Sequence, residues 1–199
     1  RGGEGLASPG GRRGKKGVSA IPAEGGDPRR LPHGGNNEPA TSWSPDGRWI
    51  AFAGQRDSTF GGIFVLDVRT LRFRLIAEDY QGLSNPRFSP DGRSIVATRL
   101  GFTWTRPRYH GGNAAQIVVI DIATGAVRRI VDNERQNLWP QFSHDGRTIY
   151  AVSYGEVTPS SRNIFDKPEK FVDNANKTPN LWRFDMNGRG TRVTDSVGE

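Results

Sequence analysis

A five-residue phrase that occurs three times constrains this chain more than any other feature. Ser44-Pro45-Asp46-Gly47-Arg48, Ser89-Pro90-Asp91-Gly92-Arg93 and Ser143-His144-Asp145-Gly146-Arg147 succeed one another at two similar intervals, from Ser44 to Ser89 and from Ser89 to Ser143. Each copy has an aromatic residue just before it (Trp43, Phe88, Phe142) and an apolar run just after it, from Ile50, Ile95 and Ile149. Repetition with such a period marks an architecture in which each unit buries its apolar face against a copy of itself. The phrase itself has the chemistry of a tight turn between two antiparallel strands. Proline presets φ at about −65°, aspartate bonds to nearby backbone, and glycine takes the positive φ at the exit. A type I turn does not require proline, so the third copy, with His144, predicts the same turn with less rigidity. Pro45, Asp46, Gly47, Pro90, Asp91, Gly92, Asp145 and Gly146 are therefore read as structural turn residues.

Downstream of each turn lies a second hairpin. Ile63 to Asp67 pairs with Arg72 to Ile76, Ile117 to Asp121 with Val127 to Val131, and Leu181 to Asp185 with Thr191 to Thr194. Asp67, Asp121 and Asp185 hold one position, and turn residues such as Ala123-Thr124-Gly125 and Asn187-Gly188 follow them. Each unit is thus a four-stranded antiparallel meander, with strands A to D. An incomplete copy, a lone C–D hairpin over Val18 to Ala23 and Arg29 to Leu31, precedes the first. The C strands are apolar at consecutive positions, so both of their faces are buried. A four-stranded unit covered on both sides by its own copies is a propeller blade. The fold class is all-β, a β-propeller with about three and a half blades present as a partial ring. The repeat spacing argues against the alternative, a β-sandwich. The 26 glycines and 13 prolines, about a fifth of 199 residues, suit many short strands. The expected divisions are residues 18–35 (hairpin of a preceding blade), 36–80, 81–134 and 135–199 (blades).

The Ser-Pro-Asp-Gly-Arg turns, with an apolar C strand ending in aspartate and a basic D strand, resemble the WD40-like propeller repeats of TolB. The same repeat occurs in tricorn-type proteases and in prolyl-oligopeptidase and dipeptidyl-peptidase relatives. The resemblance covers residues 18–199. It implies a propeller, and, on the TolB side, a bacterial exported protein, periplasmic or extracellular, that docks protein partners. Because this repeat carries many activities, it specifies fold rather than function. Such rings usually close with six or seven blades. The remaining blades are expected on the parent polypeptide, or in a second copy of the chain. An open blade face would present on the order of 300 Å² of strand surface, as large as the biggest patch on most monomers. The N-terminal Arg1-Gly2-Gly3 has no apolar stretch of its own, and the chain is read as a fragment or processed piece whose signal peptide lies elsewhere.

The net charge of +7 is uneven. Residues 1–17 carry +4, leaving +3 for residues 18–199. The Gly-rich basic tail is expected to be disordered, with no specific nucleic-acid role. Cysteine is absent, which excludes disulfides, a thiol nucleophile and thiolate zinc sites. No apolar run approaches the about 20 residues of a membrane-spanning helix.

Strand parity locates the surface chemistry. The A–B and C–D turns share one end of every blade, and the B–C loops and D–A links share the other. The stretch from turn aspartate to strand-C aspartate lengthens with each copy, from Asp46–Asp67 to Asp91–Asp121 to Asp145–Asp185. All added length falls in the B–C loops, and that end is the expected functional face. The second loop, Arg99 to Gln116, holds Phe102, Trp104, Arg106, Arg108, Tyr109 and His110, followed by Gly111-Gly112. Aromatics mixed with arginine can anchor a peptide, a carboxylate or a partner protein. The same residues could instead pack over the propeller rim. The third loop, Ser153 to Asn180, alternates acidic and basic residues and reads as a solvated excursion or small helix. Catalysis finds no support. The three histidines sit in loops or turns without metal-ligand spacing, and no nucleophile elbow or phosphate-binding glycine pattern occurs. No cofactor or metal is expected. Two functions remain: a non-catalytic protein- or peptide-binding scaffold, and the substrate-gating propeller of a larger serine peptidase whose catalytic domain lies outside these residues.

Overall fold

The protein was analysed as a computed structural model, which describes residues 6–9, 18–21, 24–27, 29–31, 40–55, 60–101, 114–133, 135–154 and 179–195. All regular structure among them is β. Strands β1 (Leu6–Pro9), β2 (Val18–Ile21) and β3 (Arg29–Arg30) form a three-stranded antiparallel sheet. Strands β4 (Thr41–Trp43), β5 (Trp49–Gly54), β6 (Gly62–Asp67) and β7 (Phe73–Glu78) make the first complete blade. Strands β8 (Leu83–Phe88), β9 (Ser94–Arg99), β10 (Gln116–Asp121) and β11 (Val127–Val131) make the second. Strands β12 (Gln136–Phe142), β13 (Thr148–Tyr154), β14 (Asn180–Asp185) and β15 (Gly190–Arg192) make the third. The architecture is the expected all-β series of four-stranded antiparallel blades in an open partial ring.

Strand β1 falls within the basic N-terminal stretch, and its register with β2 runs from Leu6 opposite Ile21 to Pro9 opposite Val18.

The repeated phrase forms the same turn three times. Gly47, Gly92 and Gly146 have φ of 68°, 69° and 70°, a left-handed conformation that glycine adopts without steric cost. Their amides donate to Ser44, Ser89 and Ser143 carbonyls at 2.9 Å in each copy, so His144 replaces proline without altering the turn.

The strict period-2 geometry of the C strands explains their unbroken hydrophobicity. Ile63 and Val65 pack with Ala51 and Ala53 against Ile95, Ala97, Val118 and Ile120 of the second blade. Phe64 and Leu66 face the other way, with Ile50 and Phe52, toward Leu31 beside β3. In the second blade Ile117, Val119 and Val96 turn toward Ile149, Ala151 and Phe184 of the third. Fully burying one such side chain contributes about 1.5–3 kcal/mol, so these seams dominate cohesion between blades.

Backbone contacts lock the same seams. The C–D turn of the second blade leans on the D strand of the first so closely that a Cβ on Gly125 would lie 2.7 Å from the Ile76 carbonyl oxygen. In the third blade, a Cβ on Gly188 would collide with the Ile130 oxygen of the second. Arg74 donates to the Ile122 carbonyl at 3.1 Å and Arg128 to the Met186 carbonyl at 2.9 Å, an inter-blade clasp at each seam. The first strands β4, β8 and β12 pack beside one another, and the fourth strands are largely exposed, so strand A is innermost in each blade.

Candidate functional site

The two ends of the blades differ in what their polar groups are doing. At the turn end, the repeated carboxylates are committed to holding backbone. Asp46 Oδ1 accepts from Ser44 Oγ at 2.6 Å and from the Arg48 amide at 3.0 Å. Asp91 and Asp145 repeat this geometry with Ser89 and Arg93, and with Ser143 and Arg147. These bonds, the serine hydroxyl first, hold all three carboxyls below their ordinary range. Asp67 Oδ1 accepts from the Thr70 and Arg69 amides, and its Oδ2 pairs with Arg48 at 3.2 Å. Asp121 is held likewise by the Thr124 amide and hydroxyl, and both groups titrate low for the same reason. Carboxylates kept ionised by backbone donors have little capacity for proton transfer near neutral pH. Among the described residues no group of three His, Asp or Glu side chains could hold a metal ion.

The opposite end carries the strand connections that vary in length. The loops there join Gly54 to Gly62, Arg99 to Gln116 and Tyr154 to Asn180. The candidate residues Phe102, Trp104, Arg106, Arg108, Tyr109 and His110 all lie outside the described residues, as does most of the third loop. The roots of these loops are fixed by named contacts. Arg99, 4% exposed, pairs with Asp79 at 2.8 Å, donates to Gln81 Oε1, and lies 5.1 Å from the centre of the exposed Tyr80 ring.

Between the second and third blades the roots are held by side-chain amides instead of charges. Gln136 Oε1 accepts from the Ala115 amide, and the Asn137 amide donates to the Ala115 carbonyl, both at 2.8 Å. Gln116 spans Asn133, accepting from its amide at 3.2 Å and donating to its carbonyl. Asn137 Nδ2 donates to Asn133 Oδ1 at 2.8 Å and to the Arg135 carbonyl at 2.9 Å. Gln116, Gln136 and Asn137 are essentially buried, and losing one partner would leave the other uncompensated, at about 1–3 kcal/mol. Sequence reasoning missed this seam, since glutamine and asparagine beside a loop read as solvated.

It also missed Trp139. The innermost strands β8 and β12 each bulge, their pairing jumping from Ser84 to Arg87 and from Leu138 to Gln141. The residue before proline in each bulge is left-handed: Asn85 at φ 51° and Trp139 at φ 52°. Asparagine tolerates that region, whereas for a bulky residue it costs about 1–2 kcal/mol. Trp139 nevertheless stands 53% exposed, edge-on to Tyr154 with ring centres 6.3 Å apart. The signal available in the sequence was the alignment of Asn85-Pro86 with Trp139-Pro140, an indole in a position that favours asparagine.

No protein-family model matches the chain. Among curated proteins, it is 24% identical over 162 residues to the uncharacterized peptidase YuxL of Bacillus subtilis, covering 65% of this chain and 24% of that protein. An uncharacterized protein of Agrobacterium fabrum is 29% identical over 160 residues, 78% of this chain and 47% of its own. The Tol-Pal system protein TolB of Francisella tularensis is 32% identical over 94 residues, 46% of this chain and 19% of its own. The chain thus spans less than half the length of each. Among solved structures, TolB from Acinetobacter baumannii superposes with a TM-score of 0.66 at 20% identity, over 96% of this chain and 40% of that one. The tricorn protease superposes with a TM-score of 0.62 at 15% identity, over 98% of this chain and 20% of that one. The propeller expected from the repeats is therefore the fold, of the kind found in TolB and in propeller-bearing proteases.

Proposed function

We propose that these residues form a non-catalytic β-propeller segment that binds protein or peptide, with the B–C loop end as its working face. The observation that carries this reading is the division of labour between the two ends. Three repeated turns commit their carboxylates to backbone geometry, while the large differences in connection length, with their Trp, Tyr and Arg side chains, fall at the other end. Likeness to TolB supports an exported, periplasmic or extracellular setting and a protein partner. No helix among the described residues is long and apolar enough to cross a membrane. Further blades of the parent polypeptide, or a second copy, would close the ring.

The experiment replaces Trp104, Arg106, Arg108 and Tyr109 singly by alanine in the full-length protein. Binding to peptides or to captured partner is measured beside the melting temperature, with Phe102 and His110 as flanking positions. Truncating a true anchor costs about 2 kcal/mol or more of binding at unchanged stability. Lost stability with unchanged binding would show that these side chains only cover the rim.

A second reading is favoured by the match to a peptidase and to the tricorn protease: a propeller that selects substrate for a serine peptidase domain elsewhere in the polypeptide. Labelling of the full-length protein by a fluorophosphonate, with a serine outside these residues modified, would establish it. Absence of labelling together with partner binding favours the scaffold.

A further inference from the structure

We infer that the loop end of the seam between the second and third blades holds a buried water molecule, bound by Thr98, Asn137 and Ser153 and bridging the two blades. Three of the four buried side-chain nitrogen or oxygen atoms without a hydrogen-bond partner among the described residues lie here: Thr98 Oγ1, Asn137 Oδ1 and Ser153 Oγ. Thr98 and Asn137 are 0% exposed and Ser153 4%, so bulk solvent does not serve them. Strand register puts them in one place. Asn137 and Ser153 stand opposite each other in the β12–β13 ladder and so share a face of the sheet. Alternation gives Ser153 the face of Ile149 and Ala151, which pack against the second blade. Thr98, one residue from the loop end of β9, shares the face of Val96 and stands opposite Ile117, both of which turn toward the third blade. Strands β9 and β12 pack beside each other across that seam. The Asn137 amide nitrogen is committed to Asn133 Oδ1 and the Arg135 carbonyl, which fixes Oδ1 as the acceptor left over.

The first seam shows that the fold does not need these polar groups. The repeated turns align Thr98 with Ala53, Asn137 with Leu83 and Ser153 with Arg99. There Ala53 and Leu83 belong to an apolar cluster, and the long Arg99 side chain is engaged by Asp79 and Gln81. Three positions that are apolar or paired in one seam thus carry unpartnered oxygens in the next. Burying a polar group without a partner is costly, and three at one place point to a ligand that serves them together. The donor set selects that ligand. A hydroxyl can donate or accept, whereas the Asn137 carbonyl only accepts. Water meets all three demands: it donates to Asn137 Oδ1 and to one hydroxyl and accepts from the other, the about three bonds typical of buried water. A cation would find no carboxylate, because the position of Asp79 in the first seam is Asn133 in this one, and an anion would face the Asn137 carbonyl. The inference does not depend on the binding role proposed for the loop face.

The test is a high-resolution crystal structure of the full-length protein. Density for a water within hydrogen-bonding distance of Thr98 Oγ1, Asn137 Oδ1 and Ser153 Oγ is expected, and the corresponding place beside Ala53 and Leu83 is expected to be dry. Thr98 and Ser153 hydroxyls bonded directly to protein, with no density between them, overturn the inference. So does anomalous scattering at the site after the crystals are soaked in rubidium chloride, which would make the ligand a cation. In solution, Thr98→Val and Ser153→Ala are each expected to raise the unfolding equilibrium constant about five- to thirty-fold. The double variant should fall short of the product of the two by a factor of about two or more, because one water is lost only once. Single effects that simply multiply show that the hydroxyls share no ligand and overturn the bridge. Thr98→Ser, which keeps the hydroxyl, should retain both the water and the coupling to Ser153→Ala.

Discussion

Gly47 and Gly125 offer a comparison in which one variable changes. Both are left-handed, at φ 68° and 73°, so alanine at either carries a similar backbone penalty, about 1–2 kcal/mol. Their surroundings differ. A Cβ on Gly47 meets nothing within 4 Å, whereas on Gly125 it lies 2.7 Å from the Ile76 carbonyl oxygen on the D strand of the preceding blade. That oxygen belongs to backbone and cannot swing aside. Restoring an ordinary carbon–oxygen contact requires the first two blades to part by about half an ångström along this edge. A gap of that size forfeits a quarter or more of the attraction between facing atoms, and it falls beside the seam that buries Val65, Ile95 and Ile120. A further loss of about 1–3 kcal/mol follows. Gly47→Ala is thus expected to cost about 1–2 kcal/mol and Gly125→Ala about 2–5, larger by about 1–3 kcal/mol, measured by urea unfolding with far-ultraviolet circular dichroism at equal denaturant slopes. If the two variants lose the same stability to within about 0.5 kcal/mol, the close approach of turn and neighbouring blade is wrong, and blade docking rests on side chains alone.

Acid should destabilise the protein through the turn aspartates. Their carboxyls titrate below the ordinary value of 3.8 in the folded state, so their contribution is complete at neutral pH, begins to fall as pH drops toward 3.8, and is lost below the folded values. Unfolding free energy that is flat from pH 7 to about 5 and declines below about 4.5 agrees with this; Asp91→Asn should flatten part of that decline, and a variant with the wild-type acid profile counts against it. Residues 1–199 in isolation should self-associate or bind a hydrophobic dye through the outward face of the third blade, where Tyr150, Val152 and Leu181 are not fully covered. Light scattering that reports a monodisperse monomer without dye binding, unaltered by Leu181→Lys, would refute an adhesive open face.

What could be read from the sequence was whatever depends on a residue's own conformational chemistry. Proline, aspartate and glycine at fixed offsets specify a turn wherever they occur, and the glycines of the three turns share nearly one φ, at 68°, 69° and 70°. Consecutive apolar residues in β6 and β10 likewise require burial on two faces. Features that depend on a partner distant in sequence were not readable in this way. Gln116 and Asn137 become a buried seam only because two blades meet there, and Trp139 is conspicuous only through its backbone angle. The fourth strand of the third blade begins one residue earlier than expected, at Gly190, because its turn closes from the Asp185 amide to Arg189 where the second blade closes from Asp121 to Ala126. The candidate residues of the second loop remain a proposal resting on composition and parity.

The seams also explain why one C–D turn departs from the others. Gly125 and Gly188 must be glycine because a neighbouring carbonyl occupies the space of a side chain, but the equivalent position in the first blade is Leu71, left-handed at φ 58°. A leucine there is tolerable only if no carbonyl approaches, and its side chain packs with the cluster facing the three-stranded sheet. That sheet supplies little to the cluster, chiefly Leu31 and Ala20. The first blade compensates with bulk: Phe52 and Phe64 stack with ring centres 5.5 Å apart, and Phe73 sets its edge against both at 6.3 and 6.2 Å. The two later seams therefore add close backbone contact to their apolar packing, whereas this one is closed chiefly by aromatic side chains. Side-chain packing can accommodate a small shift by changing rotamers, whereas glycine set against a carbonyl cannot. Relative movement among these blades should accordingly concentrate at the junction beside Leu71, leaving the seam beneath the two long loops as the fixed part of the scaffold.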